Sequence, residues 1–368
     1  MRRTSSGNRQ RILYLLVFCT VVGLSIHIPF MARASGPLWQ QYLYNGPAGS
    51  RTYFVYTPTH YQVGVAVPLV VMLHGCSQTA TDFAAGTQMN QLADQYHFIV
   101  VYPQQASTSN PYLCWNWFYP ANQSRGSGEP AIIAGIVQSI EQQTSQWTID
   151  ARRIYVAGIS AGAAMAVTLG ATYPDIFAAI GVHSGFEYQA ATTPGDVVLA
   201  SRYGGPSPVE QGQLAYETMG ELARIVPTIV FHGTDDTFID PINGDQVVQQ
   251  WMQTDMLASN GTYQADFHHP TSTTTGQVPG GHAYTIYAWN DANGSEVQEY
   301  WRVDGMGHSW SGGSYNGSYS DPLGPNASLA MYTFFLNHAL PCYCSMMWMR
   351  SSRSARHWRP YWGRIPSQ

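Results

Sequence analysis

The chain predicts an α/β protein built on one mostly parallel, doubly wound sheet, and three observations carry that prediction. Five short runs are apolar without polar alternation, as strands buried on both faces require. Helical periodicity fills stretches between them, and alternating strands and helices favour a doubly wound sheet. Setting aside a leader of 34 residues and a tail of 28 leaves 306 residues, the size of one large domain, with no internal repeat and no Ser/Thr/Pro-rich linker.

In chain order, the first run is 67–73, ending in His74-Gly75-Cys76. The second, 98–102, is stopped by Pro103, and the third is 154–157. The fourth, 177–182, ends in His183-Ser184-Gly185, and the fifth, 228–231, in His232-Gly233. A helix is expected over 131–147, with Ile132, Ile136, Ile140 and Gln143 on one face and Ile133 and Val137 beside it. Others are expected over 163–173 and 242–257. The segments 284–289 and 296–303 flank Asn-Asp-Ala-Asn-Gly and read as a late hairpin. Asn326 is placed to cap a last helix carrying Leu329, Tyr332 and Phe335 inward.

Composition narrows the function. At 45% hydrophobic and 11% charged residues, the chain as a whole is not disordered. All 17 basic residues are arginine, five within 1–34 and five within 341–368, where there are no acids. The middle therefore holds seven arginines against 22 acids, a formal −15. Such a surface repels phosphate backbones, so nucleic acid is excluded as a partner and polyanionic substrates are disfavoured.

Residues 1–34 combine a basic start, an apolar run from Ile12 to about Phe30, and a small-x-small pattern at Ala32-Arg33-Ala34. They read as a secretory signal peptide cut after Ala34, the competing reading being an uncleaved anchor. No later stretch is apolar enough to span a membrane, so the mature domain, 35–340, is expected to be secreted without membrane insertion. Tail 341–368 carries Cys342 and Cys344, too few ligands for a structural zinc site. Its interleaved arginines and tryptophans suit contact with an anionic surface, against the simpler reading of a disordered end.

Gly158-Ile159-Ser160-Ala161-Gly162 stands between a strand and a helix. There it reads as a nucleophile turn that lifts the serine hydroxyl above the sheet edge at a helix N-terminus. A serine needs a base, and in this arrangement an acid and then a histidine follow in the chain. Asp235, Asp236 and Asp240 all follow the fifth strand. Of His268, His269, His282, His308 and His338, His308 is favoured by its glycine-rich loop after 300–303, and His338 reads as a helix cap. The backbone amides of Cys76 and Ala161 are placed to hold an oxyanion. His74 and His232 read as structural. No cofactor or metal is expected, because this acid–base machinery is complete without one.

The segments LHGCSQTATDF (73–83), CWNWF (114–118), RGSGEP (125–130), RIYVAGISAGAAMA (153–166), YPDIFAAIGVHSG (173–185), FHGTDDTFIDPINGDQV (231–247) and GMGHSWSGG (305–313) resemble the secreted polyhydroxybutyrate depolymerase-type esterases, relatives of feruloyl and acetylxylan esterases. The likeness covers about 50–340 and implies the α/β-hydrolase fold. It implies a triad of Ser160, Asp236 and His308, with Asp235 as rival acid, and a disulfide between Cys76 and Cys114. Two departures stand out: Ala163 occupies a usual glycine position, and the basic tail is extra. Trp115, Trp117 and Trp310 are expected to contact substrate, the competing reading, above all for Trp117, being core packing. The expected substrate is a short-chain polyester such as polyhydroxybutyrate. The alternative is ferulate or acetate on xylan, and a more distant one is a non-catalytic surface-binding fold.

Overall fold

The computed structural model describes residues 38–341, which fall within one compact unit. The leader 1–34 and, from Cys342 onward, the tail with its C-x-C pair and proposed surface contact lie outside the described residues.

The chain opens with an antiparallel hairpin, β1 (Leu38–Gly46) and β2 (Gly49–Thr57), which the sequence reading did not foresee. Next come β3 (Val67–Leu73), α1 (Ala80–Thr87), α2 (Met89–Tyr96), β4 (Ile99–Pro103), α3 (Gly128–Gln142), β5 (Ile149–Ile159) and α4 (Ala161–Thr172). These are followed by β6 (Ala179–His183), α5 (Pro194–Tyr203), α6 (Pro208–Met219), β7 (Thr228–Gly233) and α7 (Ile242–Ala258). The described chain ends with β8 (Ser272–Gln277), β9 (Ala283–Asn290), β10 (Glu296–Val303), the short pair β11 (Trp310–Ser311) and β12 (Ser320–Asp321), and α8 (Ala327–Leu336).

Ten strands form one sheet in the order β1-β2-β4-β3-β5-β6-β7-β10-β9-β8. From β4 to β10 every neighbouring pair is parallel, and antiparallel strands close both edges. The five apolar runs are the five central strands, and period-two geometry splits their side chains between two cores. Along β3, Leu69, Val71 and Leu73 enter one core, with Ile133 and Ile136 of α3 and Met165 of α4. Val70 and Met72 enter the other, with Phe83 of α1 and Phe335 of α8. Helix α4 is buried at all twelve positions, so it lies under the site as a rigid floor. Ile132, Ile133, Ile136, Val137 and Ile140 of the expected α3 face are buried, but the helix ends at Gln142, short of the expected 147, and Gln143 is its half-buried C-cap. Asn326 caps α8 by accepting from the Leu329 amide at 2.9 Å. Leu329, however, is 36% exposed, and Met331 and Phe334 join Tyr332 and Phe335 inward instead. The inward face of this helix is thus turned from the expected one.

Candidate active site

Ser160 sits between β5 and α4 at φ 57° and ψ −123°, a conformation that costs a non-glycine residue energy and persists only where its surroundings fix it. Its neighbours fix it by crowding. A Cβ on Gly158 would lie 2.5 Å from the Gly162 carbonyl carbon, and one on Gly162 would lie 2.1 Å from the Leu73 carbonyl oxygen. Only hydrogen fits at either position, which lets β3, β5 and α4 meet at the turn. The Ser160 amide donates to the His183 carbonyl at 2.9 Å, and the side chain is half-buried. The departure at Ala163 is accommodated opposite, where a Cβ on Gly185 would approach the Ala163 methyl to 2.6 Å.

His308 lies on the loop after β10. Its Nδ1 donates to Asp236 Oδ2 at 2.7 Å, and the two side chains are 8% and 0% exposed. The other carboxylate oxygen of Asp236 accepts from the Phe238 and Ile239 amides at 3.0 and 2.9 Å. Burial pushes the Asp236 carboxyl up, but the bond and charge of His308, the nearby His232 and the Ile239 amide outweigh it and hold the group below its ordinary value. Asp235 is exposed and, among the described residues, forms no hydrogen bond or ion pair with His308; Asp236 is the acid bonded to its ring.

Ser160 and His308 line one cavity of about 220 Å³ with Ile159, Phe238, Ile239 and Tyr319. Its remaining wall is the Gly75–Gln78 turn. The Gly75 amide donates to Gln78 Oε1 at 2.9 Å, and Gln78 Nε2 donates to the Ser318 carbonyl at 2.9 Å, so one side chain clamps the turn to the loop before β12. Cys76 is bonded to Cys114, and the Ser77 amide donates to the Tyr112 carbonyl at 2.7 Å. Among the described residues neither the Cys76 nor the Ala161 amide has a hydrogen-bond acceptor. Ala161 is the first residue of α4, where the helix leaves its amides free.

The other histidines are held elsewhere. His74 Nε2 accepts from the Gln105 amide at 3.0 Å, and burial pulls the ring down to about 4. His232 Nε2 donates to the Ile239 carbonyl at 2.9 Å and lies 3.5 Å from Asp236 Oδ2, behind the acid. His183 Nε2 accepts from the Ser311 amide at 3.0 Å, and its ring stacks on Trp310 at 5.1 Å, so it anchors the loop that carries His308. His338 holds the Phe334 and Glu296 carbonyls at the end of α8.

The expected substrate contacts of Trp115, Trp117 and Trp310 are corrected: none lines the cavity, and all are no more than 2% exposed. Trp115 donates to the His74 carbonyl at 3.1 Å, Trp117 stacks on Phe186 at 4.6 Å, and Trp310 donates to Ser328 Oγ at 3.0 Å. These rings brace the loops behind the site. The rings that do line it are Phe238, 65% exposed, and Tyr319, 41% exposed. Phe238 stands two residues past Asp236, and Tyr319 belongs to the Gly/Tyr/Asn-rich loop after His308, so chain proximity to the triad was the available signal. Among the described residues no three His, Cys, Asp or Glu side chains converge as a metal ion requires, and no helix is long and apolar enough to cross a membrane.

A family model described as esterase PHB depolymerase matches residues 51–267, a stretch that holds Ser160 and Asp236. Poly(3-hydroxyalkanoate) depolymerase C of Paucimonas lemoignei is 34% identical over 243 residues, covering 66% of this chain and 54% of that protein. The chain thus spans about half the length of that relative. Feruloyl esterase B of Neurospora crassa is 31% identical over 214 residues, covering 56% of this chain and 70% of that one. Among solved structures, an acetyl xylan esterase from Aspergillus awamori superposes with a TM-score of 0.60 at 24% identity, covering 74% of this chain and 94% of that one. That likeness bears on the fold, which is the α/β-hydrolase fold.

Proposed function

The chain belongs to the esterase PHB depolymerase family, and from that premise we propose that it cleaves carboxylic esters through an acyl-enzyme on Ser160. The observation that carries this reading is the 2.7 Å bond from His308 to the buried Asp236, on a ring that shares one cavity with Ser160. Because Nδ1 holds the proton toward Asp236, Nε2 is the nitrogen left to take the Ser160 proton. As Oγ attacks the acyl carbon, the carbonyl oxygen gains charge, and the unpartnered amides of Cys76 and Ala161 are its donors. The proton then passes from His308 to the departing alcohol. Water, deprotonated by the same nitrogen, releases the acid and restores Ser160. Asp236, held ionised, stabilises the imidazolium in both halves.

The substrate is a short-chain aliphatic polyester or its oligomers. A small cavity walled by Ile159, Ile239, Phe238 and Tyr319 suits one short apolar acyl unit rather than a charged one. A second reading, release of ferulate or acetate from xylan, draws support from the feruloyl esterase B relative. The leader 1–34 is proposed to export the chain, with 35–340 as the catalytic domain. Chromatography of soluble products from amorphous polyhydroxybutyrate and from feruloylated, acetylated xylan, side by side, separates the readings. Hydroxybutyrate is expected from the first, and Ser160→Ala is expected to lower its release by roughly 10⁴-fold or more. Ferulate or acetate instead moves the protein to the carbohydrate esterases, and release that survives in Ser160→Ala refutes the mechanism.

A further inference from the structure

Seven arginines lie between residues 35 and 340, and five have partners. Arg51 pairs with Glu129 at 3.4 Å, Arg125 with Asp175 at 2.6 Å and Arg153 with Asp150 at 2.6 Å. Arg152 and Arg224 donate to the carbonyls of Leu340 and Pro174. Arg202 stands in solvent on α5. Arg302 fits neither group. It is half-buried near the end of β10, yet among the described residues it makes no hydrogen bond or ion pair. Asp245 of α7 feels its charge, but the Asp245 carboxylate accepts from the Tyr300 hydroxyl at 2.9 Å and forms no ion pair with Arg302.

What Arg302 meets instead is a cavity of about 210 Å³, walled by Phe267, His268, Pro270, Tyr287 and Trp289. Phe267 and Trp289 lie nearly parallel, 6.1 Å apart, and Tyr287 lies 6.4 Å from Trp289. The cavity shares no lining residue with the one that holds Ser160. It is nonetheless one strand away from the triad acid's support, since Arg302 of β10 is in register with His232 of β7.

A guanidinium without an acceptor, set among aromatic rings, selects an anion with an apolar body. Its planar fork matches a carboxylate. The volume is below the roughly 300–1,000 Å³ of ordinary ligand pockets, which restricts the ligand to a small acid. We propose that this cavity is an accessory site for a small monocarboxylate, its acid group forked by Arg302 and its body laid against Phe267, Tyr287 and Trp289. The reading of the active site enters only in choosing probes, because ester cleavage releases such acids. A 3-hydroxyalkanoate from polyester and a hydroxycinnamate from xylan share this chemistry.

The test is calorimetric titration of the full chain, its Ser160 first blocked by a phosphonate, with 3-hydroxybutyrate in one arm and ferulate in the other. One acid is expected to bind the blocked protein at one site. Its affinity should fall by roughly tenfold or more in Arg302→Gln, and less in Arg302→Lys, which keeps the charge without the fork. Melting curves check that both variants fold. No heat from either acid on the blocked protein, or equal affinity in Arg302→Gln, overturns the proposal. If the phosphonate does not attach, the Ser160 reading has failed instead, and the unblocked protein against Arg302→Gln still decides the cavity.

Discussion

Trp115, Trp117 and Trp310 are at most 2% exposed, whereas Phe238 and Tyr319, which line the pocket, are 65% and 41% exposed. Both sets are aromatic, and each has a member two residues past a triad candidate, Trp310 after His308 and Phe238 after Asp236. The difference lies in what each ring has behind it. Trp115 and Trp310 have acceptors for their indole N–H groups inside the protein, so burial leaves no donor stranded. Phe238 has no polar edge to satisfy and lies over the His308 ring at 5.5 Å, on a turn whose amides are committed to Asp236. The buried set therefore sets the shape of the site and the exposed set meets whatever enters it.

The largest effect expected from this contrast is on stability. Trp310→Ala should cost about 3–5 kcal/mol in urea unfolding, because it empties a filled site between His183 and Phe83. A loss under about 1 kcal/mol together with a raised KM would return Trp310 to the substrate surface.

Acid should act on the buried side as well. His74 is held down to about 4 by burial, against about 6.5 when unfolded, so the unfolded chain takes up the proton first. The stability it contributes is full above about pH 6.5 and is lost as pH falls toward 4, amounting to about 3 kcal/mol. Gln can still accept from the Gln105 amide, so His74→Gln should show a shallower fall between pH 7 and 4.5 than the native chain. Equal slopes would mean that His74 does not titrate in that window.

The smallest effect belongs to the exposed side. Phe238→Ala should raise KM roughly five- to tenfold on short acyl esters, with stability within about 0.5 kcal/mol of the native chain. Destabilisation without a change in KM would erase the distinction between the two sets.

The same contrast explains what the sequence made legible. The central strands could be read because burial on both faces leaves them continuously apolar, as in Val67–Leu73. The Ser160 turn could be read because two glycines are demanded by backbone oxygens and carbons, a local requirement. Helix α5 was missed although Thr193 and Asp196 form a capping box before it. Its exposed Val198, Leu199 and Tyr203 invert the usual amphipathic pattern. Choosing Asp236 over Asp235 needed the family pattern, since which of two adjacent carboxylates faces His308 depends on the turn after β7. The tryptophans were misassigned because burial is decided by distant partners such as Ser328, which spacing does not reveal.

The Cys76–Cys114 bond closes over 38 residues and ties down Cys76, which lines the pocket. The wall of the site thus has a history as well as a sequence. It is finished by an oxidant after synthesis, so two chains identical in every residue differ at that wall according to the compartment each has passed through.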